Sequence, residues 1–365
     1  MKKIALISNN DNIVFYFRRE IILSFLKKGC HVCLITPVHG HLSSFETYPE
    51  VEIIPIELER RGTNPSKDLR FYHSLLAILK HVRPDVVFSY TIKPNVYGSM
   101  ACRRLHIPCF PNITGLGDAM ENSGLVRTVA LRLSRHAYKH CAGVFMQNEA
   151  NRSFFVGNKV VREKQIRMIP GSGVNLERFS YQAYPSEANG IRIIFVGRLL
   201  KDKGLFEFLE ATRAFASRKD VKFFIAGSAA DSDYDIPQLL KSYRVTYLGL
   251  LSKPELMYRN YHVIVLPSYH EGMSNVLLEA SATGRPVITT TVPGCRETFD
   301  EGVSGIGCEP RNTASLVDAL RRFLALSEIQ HAQMGIAGRK KMEQQFSREL
   351  VVQAYQKAVA EVVGE

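Results

Sequence analysis

The sequence predicts an α/β protein with two parallel-sheet domains. Three observations predict it. The first is a strand–loop–helix–strand unit at residues 263–290, VIVLPSYHEGMSNVLLEASATGRPVITT. Residues 263–266 are an apolar run of strand length, and 267–274 are a loop of small and polar residues pivoting on Gly272. Ser274 or Asn275 caps a helix that turns Val276, Leu277, Leu278 and Ala280 inward. Gly284-Arg285-Pro286 stops it before a strand at 287–290. That alternation is the repeat of a parallel sheet. The second observation is that similar short apolar runs recur along the whole chain. The third is the length of 365 residues, enough for two cores.

Taken in order, residues 3–8 form a first strand, followed by the loop 9–12 and an amphipathic helix over 15–27 that Gly29 ends. Strands follow at 32–36 and 51–56, a helix at 69–81 closed by Arg83-Pro84, and a strand at 86–89. The segment TIKPNVYGS then reads as a proline turn at a strand's carboxyl end. CFPNITGLG reads as a strand and a Gly-x-Gly turn at Gly115 and Gly117. No third glycine follows at dinucleotide spacing. Its glycines let the backbone approach a ligand closely. Residues 125–140 form a helix with Val126, Val129, Ala130, Leu133 and Ala137 on one stripe. Arg127, Arg132, Arg135, His136, Lys139 and His140 spread over the opposite arc. A strand at 144–148 precedes a domain passage at 169–192, and strands at 191–196, 221–226 and 245–248 open a second domain. Residues 312–345 are helical, and 347–363 form a last helix.

Composition bounds the function. Hydrophobic residues make up 45% and charged residues 22%, an ordinary globular mix. No apolar run approaches the roughly 20 residues needed to span a bilayer. The start, MKKIALISNN, goes straight into a strand without a cleavable apolar leader, so a cytoplasmic location is expected. Seven scattered cysteines fit reduced, packed thiols. Cys30 and Cys33 form a C-x-x-C whose side chains diverge across a helix stop and a strand, against a redox or zinc role, and no Cys/His cluster has metal-ligand spacing. Net charge is +12. Residues 1–180 hold 25 Lys/Arg against 14 Asp/Glu, a net +11, and the remainder holds 22 against 21, a net +1. One basic half implies a polyanionic partner, nucleic acid or an anionic membrane surface. No nucleic-acid motif is present, which leaves the membrane.

Within the 263–290 unit, Glu271 and Glu279 stand with seven residues between them. Glu271 lies at the carboxyl end of a strand, where open α/β sheets bind ligands. The helix start between the two offers N–H groups and partial positive charge to a phosphate. A sugar nucleotide matches both: hydroxyls for carboxylates, diphosphate for the helix. EGMSNVLLE resembles the E-x7-E signature of retaining glycosyltransferases of family 4. The resemblance recurs in FVGRLLKDKG (residues 195–204), IPGSGVNLERF (169–179) and VPGCRETFDEGVSG (292–305), in the family's order over nearly the whole chain.

The resemblance implies the GT-B fold: two Rossmann-like parallel-sheet domains facing across a cleft. It implies an acceptor-binding, membrane-associated domain at 1–175, to which 347–365 returns, and a nucleotide-sugar domain at 176–346. Within the family the chain is most similar to bacterial enzymes that add N-acetylgalactosamine or a hexose to a sugar on undecaprenyl diphosphate in surface-glycan assembly. The hints are Lys93 and Asn95, the turn at Thr114 and Gly115, and Gly294-Cys295. A UDP-hexose transferase and a GT-B sugar-nucleotide epimerase are the alternatives. The family places Arg198 and Lys203 on the donor diphosphate, where a bidentate Arg and a second cation stabilise developing charge. Glu271 would hold the transferred sugar and Glu279 the ribose, with Gly197, Gly272, Met273, Ser274 and Asn275 completing the donor site. Lys93 and Asn95 would meet the lipid-linked diphosphate, beside Thr114 and Gly115. Two cations and a helix start on the diphosphate make a metal or other cofactor unnecessary. Asn9-Asn10-Asp11-Asn12 stands where many members carry a glycine pair, which weakens close backbone approach there. A basic face of Arg127, Arg132, Arg135 and Lys139 on anionic inner-leaflet lipid completes the expectation, with the protein peripheral on the cytoplasmic side of the membrane.

Overall fold

The computed structural model describes residues 1–59, 64–115, 120, 124–229, 234–251 and 253–364. The chain forms two compact units, Met1–Ser172 with Glu349–Glu365, and Gly173–Arg348. The first boundary falls three residues before the expected 175, and the return to unit one begins at 349 rather than 347.

Unit one carries a parallel seven-stranded sheet in the order β3-β2-β1-β4-β5-β6-β7. Its strands are β1 Lys3–Ile7, β2 His31–Thr36, β3 Val51–Pro55, β4 Val86–Tyr90, β5 Cys109–Ile113, β6 Val144–Met146 and β7 Ile166–Met168. The helix Asp11–Lys27 starts four residues earlier than the apolar pattern suggests, because Asn10 accepts the Asn12 N–H at 2.7 Å and caps it. Likewise Asn64 caps Pro65–Val82, with proline in the first turn, where its missing N–H costs nothing. TIKPNVYGS is not a turn. It begins the helix Ile92–Leu105, with Pro94 in the first turn. The last helix, Arg348–Val363, packs Tyr355 4.7 Å from the rings of Phe88 and Phe145, and Asn112 donates to the Tyr355 hydroxyl at 2.9 Å. A buried aromatic ring with a satisfied hydroxyl holds this C-terminal helix to the first sheet.

Unit two carries a parallel six-stranded sheet in the order β10-β9-β8-β11-β12-β13. The strands are β8 Ile191–Val196, β9 Val221–Ala226, β10 Val245–Tyr247, β11 Val263–Leu266, β12 Val287–Thr290 and β13 Gly305–Cys308. β8 and β11 are neighbours in space though far apart in sequence, so strand order reverses between them. Such a switch point opens a crevice at the strands' carboxyl ends. The expected helical stretch 312–345 divides into Thr313–Leu324 and Glu328–Gln345, where Ser327 and Gln330 form a capping box. All seven cysteines are buried and free of disulfides. Among the described residues no helix is long and apolar enough to cross a membrane.

Candidate active site

The loops that leave β8 and β11 meet at the switch point of unit two. After β8 the chain turns through Gly197 and Arg198 into a 3-10 turn, Lys201–Lys203, and Gly204 ends that turn at φ +74°. A Cβ on Gly204 would lie 2.1 Å from the Pro267 carbonyl oxygen, so only glycine lets the two loops close. The Tyr269 N–H and the Ser268 hydroxyl both donate to the Asp202 carbonyl, at 2.8 and 3.2 Å. This lacing delivers the Lys203 ammonium to Glu271, 2.9 Å from Oε1. Sequence spacing alone leaves these residues 68 positions apart. Lys203 is only 9% exposed, not the solvated cation expected at a loop surface. Arg198, by contrast, lies exposed at the end of β8. The two sequence-predicted cations and Glu271 thus belong to the same pair of strand ends.

Gly294 supports this loop from below. At φ +82°, its Cβ would stand 2.5 Å from the Glu271 carbonyl oxygen, and its own carbonyl accepts the Ser274 N–H at 2.9 Å. The Gly294-Cys295 pair is therefore a support of the E-x7-E loop in this fold. Gly197 is approached as closely: a Cβ on Gly227 would fall 1.6 Å from its carbonyl oxygen.

Ser274 occupies the N-cap position of the helix Asn275–Ala282 in extended backbone, yet its hydroxyl makes no capping hydrogen bond. The expected side-chain cap is absent, and the first-turn N–H groups are left for another partner. Met273 and Ser274 are buried beneath this turn. Glu279, one turn on, is half-buried and accepts from the Tyr258 hydroxyl at 3.0 Å. Burial pushes its carboxyl up to about 7, against the opposing pull of the Tyr258 hydrogen bond and the charges of Arg178 and Arg348. Tyr258, fully buried, is a residue sequence reasoning missed. Its only signal was a tyrosine just ahead of β11. His270 lies 3.6 Å from Asp202, tied to the same lacing as the loop it sits on.

In unit one the expected acceptor residues divide. Asn95, Thr114 and Gly115 line one small cavity of about 20 Å³, together with Thr91, Ile92, Ile113, Met120, Tyr138 and Phe155. Gly117, the other half of the expected Gly-x-Gly turn, lies outside the described residues. Asn95 is spoken for, accepting from Ser89 at 2.9 Å and donating to the Asn112 carbonyl at 2.8 Å. Lys93 is also engaged, 2.7 Å from Asp68, which additionally accepts from Tyr97 at 3.1 Å. Because the segment is helical, Lys93 sits in a first turn and turns toward the neighbouring helix Pro65–Val82. Thr91 went unnoticed in the sequence. It adopts φ 73°, ψ 163°, a region almost reserved for glycine, and its buried hydroxyl has no partner among the described residues.

The helix Leu125–Tyr138 ends two residues early, and its orientation corrects the expected stripe. Val126 and Val129 are exposed at 60% and 54%, while Ser134, Ala137 and Tyr138 are buried. The small Ala130, Ser134 and Ala137 allow close approach to Ile92–Leu105, so the helix packs on them. The expected basic face also breaks up. Arg127 stacks over Phe154 at 5.4 Å, and Arg135 donates to the Lys159 and Asn158 carbonyls at 2.9 and 2.7 Å. Arg132 and Lys139 remain exposed.

Known proteins share both the sequence and the architecture. Residues 18–171 match the family profile described as glycosyl transferase 4-like domain, and residues 190–326 match that of glycosyl transferases group 1. The chain is 26% identical over 99% of its own length, and 99% of the relative's, to N,N'-diacetylbacillosaminyl-diphospho-undecaprenol alpha-1,3-N-acetylgalactosaminyltransferase of Campylobacter jejuni. It is 26% identical, over 72% of each chain, to UDP-Gal:alpha-D-GlcNAc-diphosphoundecaprenol alpha-1,3-galactosyltransferase of Escherichia coli. Among solved structures, sucrose-phosphate synthase of Thermosynechococcus elongatus superposes with a TM-score of 0.80 at 19% identity, covering 100% of this chain and 99% of that one. HepE of Anabaena, solved with UDP and glucose, superposes with a TM-score of 0.80 at 17% identity, covering 99% and 100%. These likenesses establish the GT-B fold. With one profile on each of its two units and a relative aligned end to end, the chain belongs to the group 1 and 4-like glycosyltransferases.

Proposed function

We propose that the protein transfers a sugar, N-acetylgalactosamine first among candidates, from a UDP-sugar to a sugar carried on undecaprenyl diphosphate, with retention at the anomeric carbon. The observation that carries the reading is the Lys203–Glu271 pair at the strand switch of unit two, beside Arg198 and an uncapped helix start. A cation for diphosphate and a carboxylate for sugar hydroxyls are paired at 2.9 Å, so one strand switch carries a partner for each of the two kinds of group in a sugar nucleotide. The full-length likeness to an N-acetylgalactosaminyltransferase acting on a diphospho-undecaprenol sugar supports the donor and acceptor classes. The E. coli relative keeps galactose as a second donor.

In this reading the bond from the sugar's anomeric carbon to the UDP phosphate oxygen breaks, and a bond to the acceptor hydroxyl oxygen forms on the same face. The acceptor proton passes to the leaving phosphate oxygen. Lys203 and Arg198 stabilise the charge that develops on that phosphate, where preorganised donors act most strongly. Glu271 holds sugar hydroxyls once its ammonium partner has turned to phosphate, and Glu279 takes the ribose. Gly197, Gly272, Met273, Ser274 and Asn275 shape the donor site. Asn95, Thr114 and Gly115 serve the acceptor. The enzyme works peripherally at the cytoplasmic face of the membrane that holds its acceptor.

The test is UDP release from UDP-N-acetylgalactosamine, UDP-galactose and UDP-glucose, each with undecaprenyl-diphosphate-linked monosaccharides. Product anomeric configuration is read by NMR coupling. An epimerase would interconvert UDP-sugars without acceptor, and an inverted product would overturn the retaining mechanism. Activity is also expected to survive EDTA, because protein cations occupy the role of a metal. A strict need for Mg²⁺ or Mn²⁺ would refute that assignment.

A further inference from the structure

Three helices of unit one, Pro65–Val82, Ile92–Leu105 and Leu125–Tyr138, cover one face of the parallel sheet and share one apolar core. Each follows a parallel strand, so all three begin at the sheet's carboxyl edge. Their alignment is close: Arg103 meets His136 at 3.2 Å, each 11 residues past its own helix start. The first two turns of these helices carry large apolar side chains in solvent. Leu69 is 56% exposed, Ile92 40%, Val126 60% and Val129 54%. Two of the cations at this tip are paired, Lys67 with Glu59 at 3.2 Å and Lys93 with Asp68 at 2.7 Å, Arg127 lies over the Phe154 ring, and Arg70 is exposed. Farther along the same helices exposed cations become more numerous, with Arg103, Arg104, Arg132 and Lys139. Ten residues of helix from Val129 to Lys139 make this change over about 15 Å. Unit one as a whole holds 25 Lys/Arg against 16 Asp/Glu.

From this pattern we infer that the tip of these three helices dips into an anionic bilayer surface, with Val126 and Val129 below the phosphates and the cationic collar at headgroup level. An apolar end with a basic belt one to three turns above it complements the depth profile of such a surface. A protein partner of mixed polarity has no need of that gradient. The inference rests on the lipid-linked acceptor proposed above and explains its delivery. Ile92 belongs both to the exposed tip and to the cavity of Asn95, Thr114 and Gly115, so docking brings the cavity to the depth of a lipid diphosphate. The contact is therefore an apolar end rather than the basic side face read from the sequence.

The experiment uses the full chain with vesicles of phosphatidylcholine, with and without one quarter phosphatidylglycerol. The double variant Val126→Asp, Val129→Asp replaces exposed side chains and keeps the fold, checked by its melting temperature. Its partition onto anionic vesicles is expected to fall at least tenfold, as is turnover of vesicle-borne undecaprenyl-linked acceptor. Turnover of a short-chain, water-soluble diphosphate-linked acceptor should stay at the parent value. Arg132→Glu with Lys139→Glu should abolish the preference for phosphatidylglycerol, and salt should do the same as the Debye length falls from about 10 Å at 0.1 M to about 3 Å at 1 M. Undiminished vesicle binding by the aspartate variant overturns the inference. So does a parent dimer in sedimentation that this variant dissociates, since the tip would then be a self-interface. Vesicle binding needs no acceptor: loss of binding without sugar transfer by the parent would sink the functional reading alone.

Discussion

Lys203→Ala is expected to lower turnover by roughly 10²–10³, the usual loss when one preorganised electrostatic donor is removed from a developing charge. Arg198→Ala should lose a similar factor, since a guanidinium grips phosphate in two places. The two variants differ in stability. Arg198 is exposed, so its removal should leave the melting temperature within a degree or two. Lys203 is shielded and bonded to Glu271 at 2.9 Å. Its loss strands a shielded carboxylate and should cost about 1–3 kcal/mol. The double variant Lys203→Ala, Glu271→Gln removes that stranded charge and should recover most of the stability while staying inactive. Steady-state kinetics on folded protein, with melting curves of all three, checks this. Near-normal turnover in either single variant would remove the diphosphate assignment.

Glu279→Gln is expected to weaken UDP binding yet stabilise the free protein at neutral pH and above. The carboxyl is raised to about 7, from 4.5, chiefly by burial. A raised acid favours the folded state while protonated. Its contribution is complete below 4.5 and is lost as pH climbs through about 7. The full change is on the order of 3 kcal/mol. The parent should therefore lose stability between these pH values, and the glutamine variant should lose less. Ligand binding runs the other way. Only the ionised carboxylate accepts from both ribose hydroxyls, so UDP affinity in the parent should rise with pH up to about 7 and then level. The variant should show weaker, pH-independent binding. Calorimetric titration at pH 5.5, 6.5 and 7.5 decides it. A parent affinity that is flat over this range would refute the ribose role for Glu279.

Much of the second unit was legible from residue pattern. The strands at 191–196, 221–226, 263–266 and 287–290 are short apolar-rich segments, and 263–266 is continuously apolar, as a strand buried on both faces requires. The E-x7-E loop was legible because its glycine, its small residues and its helix stop lie within one short segment. Less was legible in the first unit. Pro94 suggested a turn, yet proline fits a first helical turn equally well, and local sequence does not distinguish the two. On 125–140 the apolar residues are spread so widely that two stripes compete. Packing against a neighbouring helix selected the one with small side chains.

By itself, the sequence determined the α/β class, the parallel strands, the placement of Arg198, Lys203, Glu271 and Glu279 at strand ends and helix starts, and the basic character of the first half. Those are properties of local pattern and composition. Only the tertiary structure decided which of these residues meet. Lys203 reaches Glu271 because β8 and β11 are sheet neighbours and Gly204 lets their loops close. Lys93 is taken by Asp68 from an adjoining helix. Glu279 is raised by burial under residues distant in sequence. Val126 and Val129 face solvent because the sheet-facing side of their helix belongs to Ser134, Ala137 and Tyr138. Burial, charge pairing and strand order are non-local, and they set protonation and exposure where local pattern could set only residue type and secondary structure.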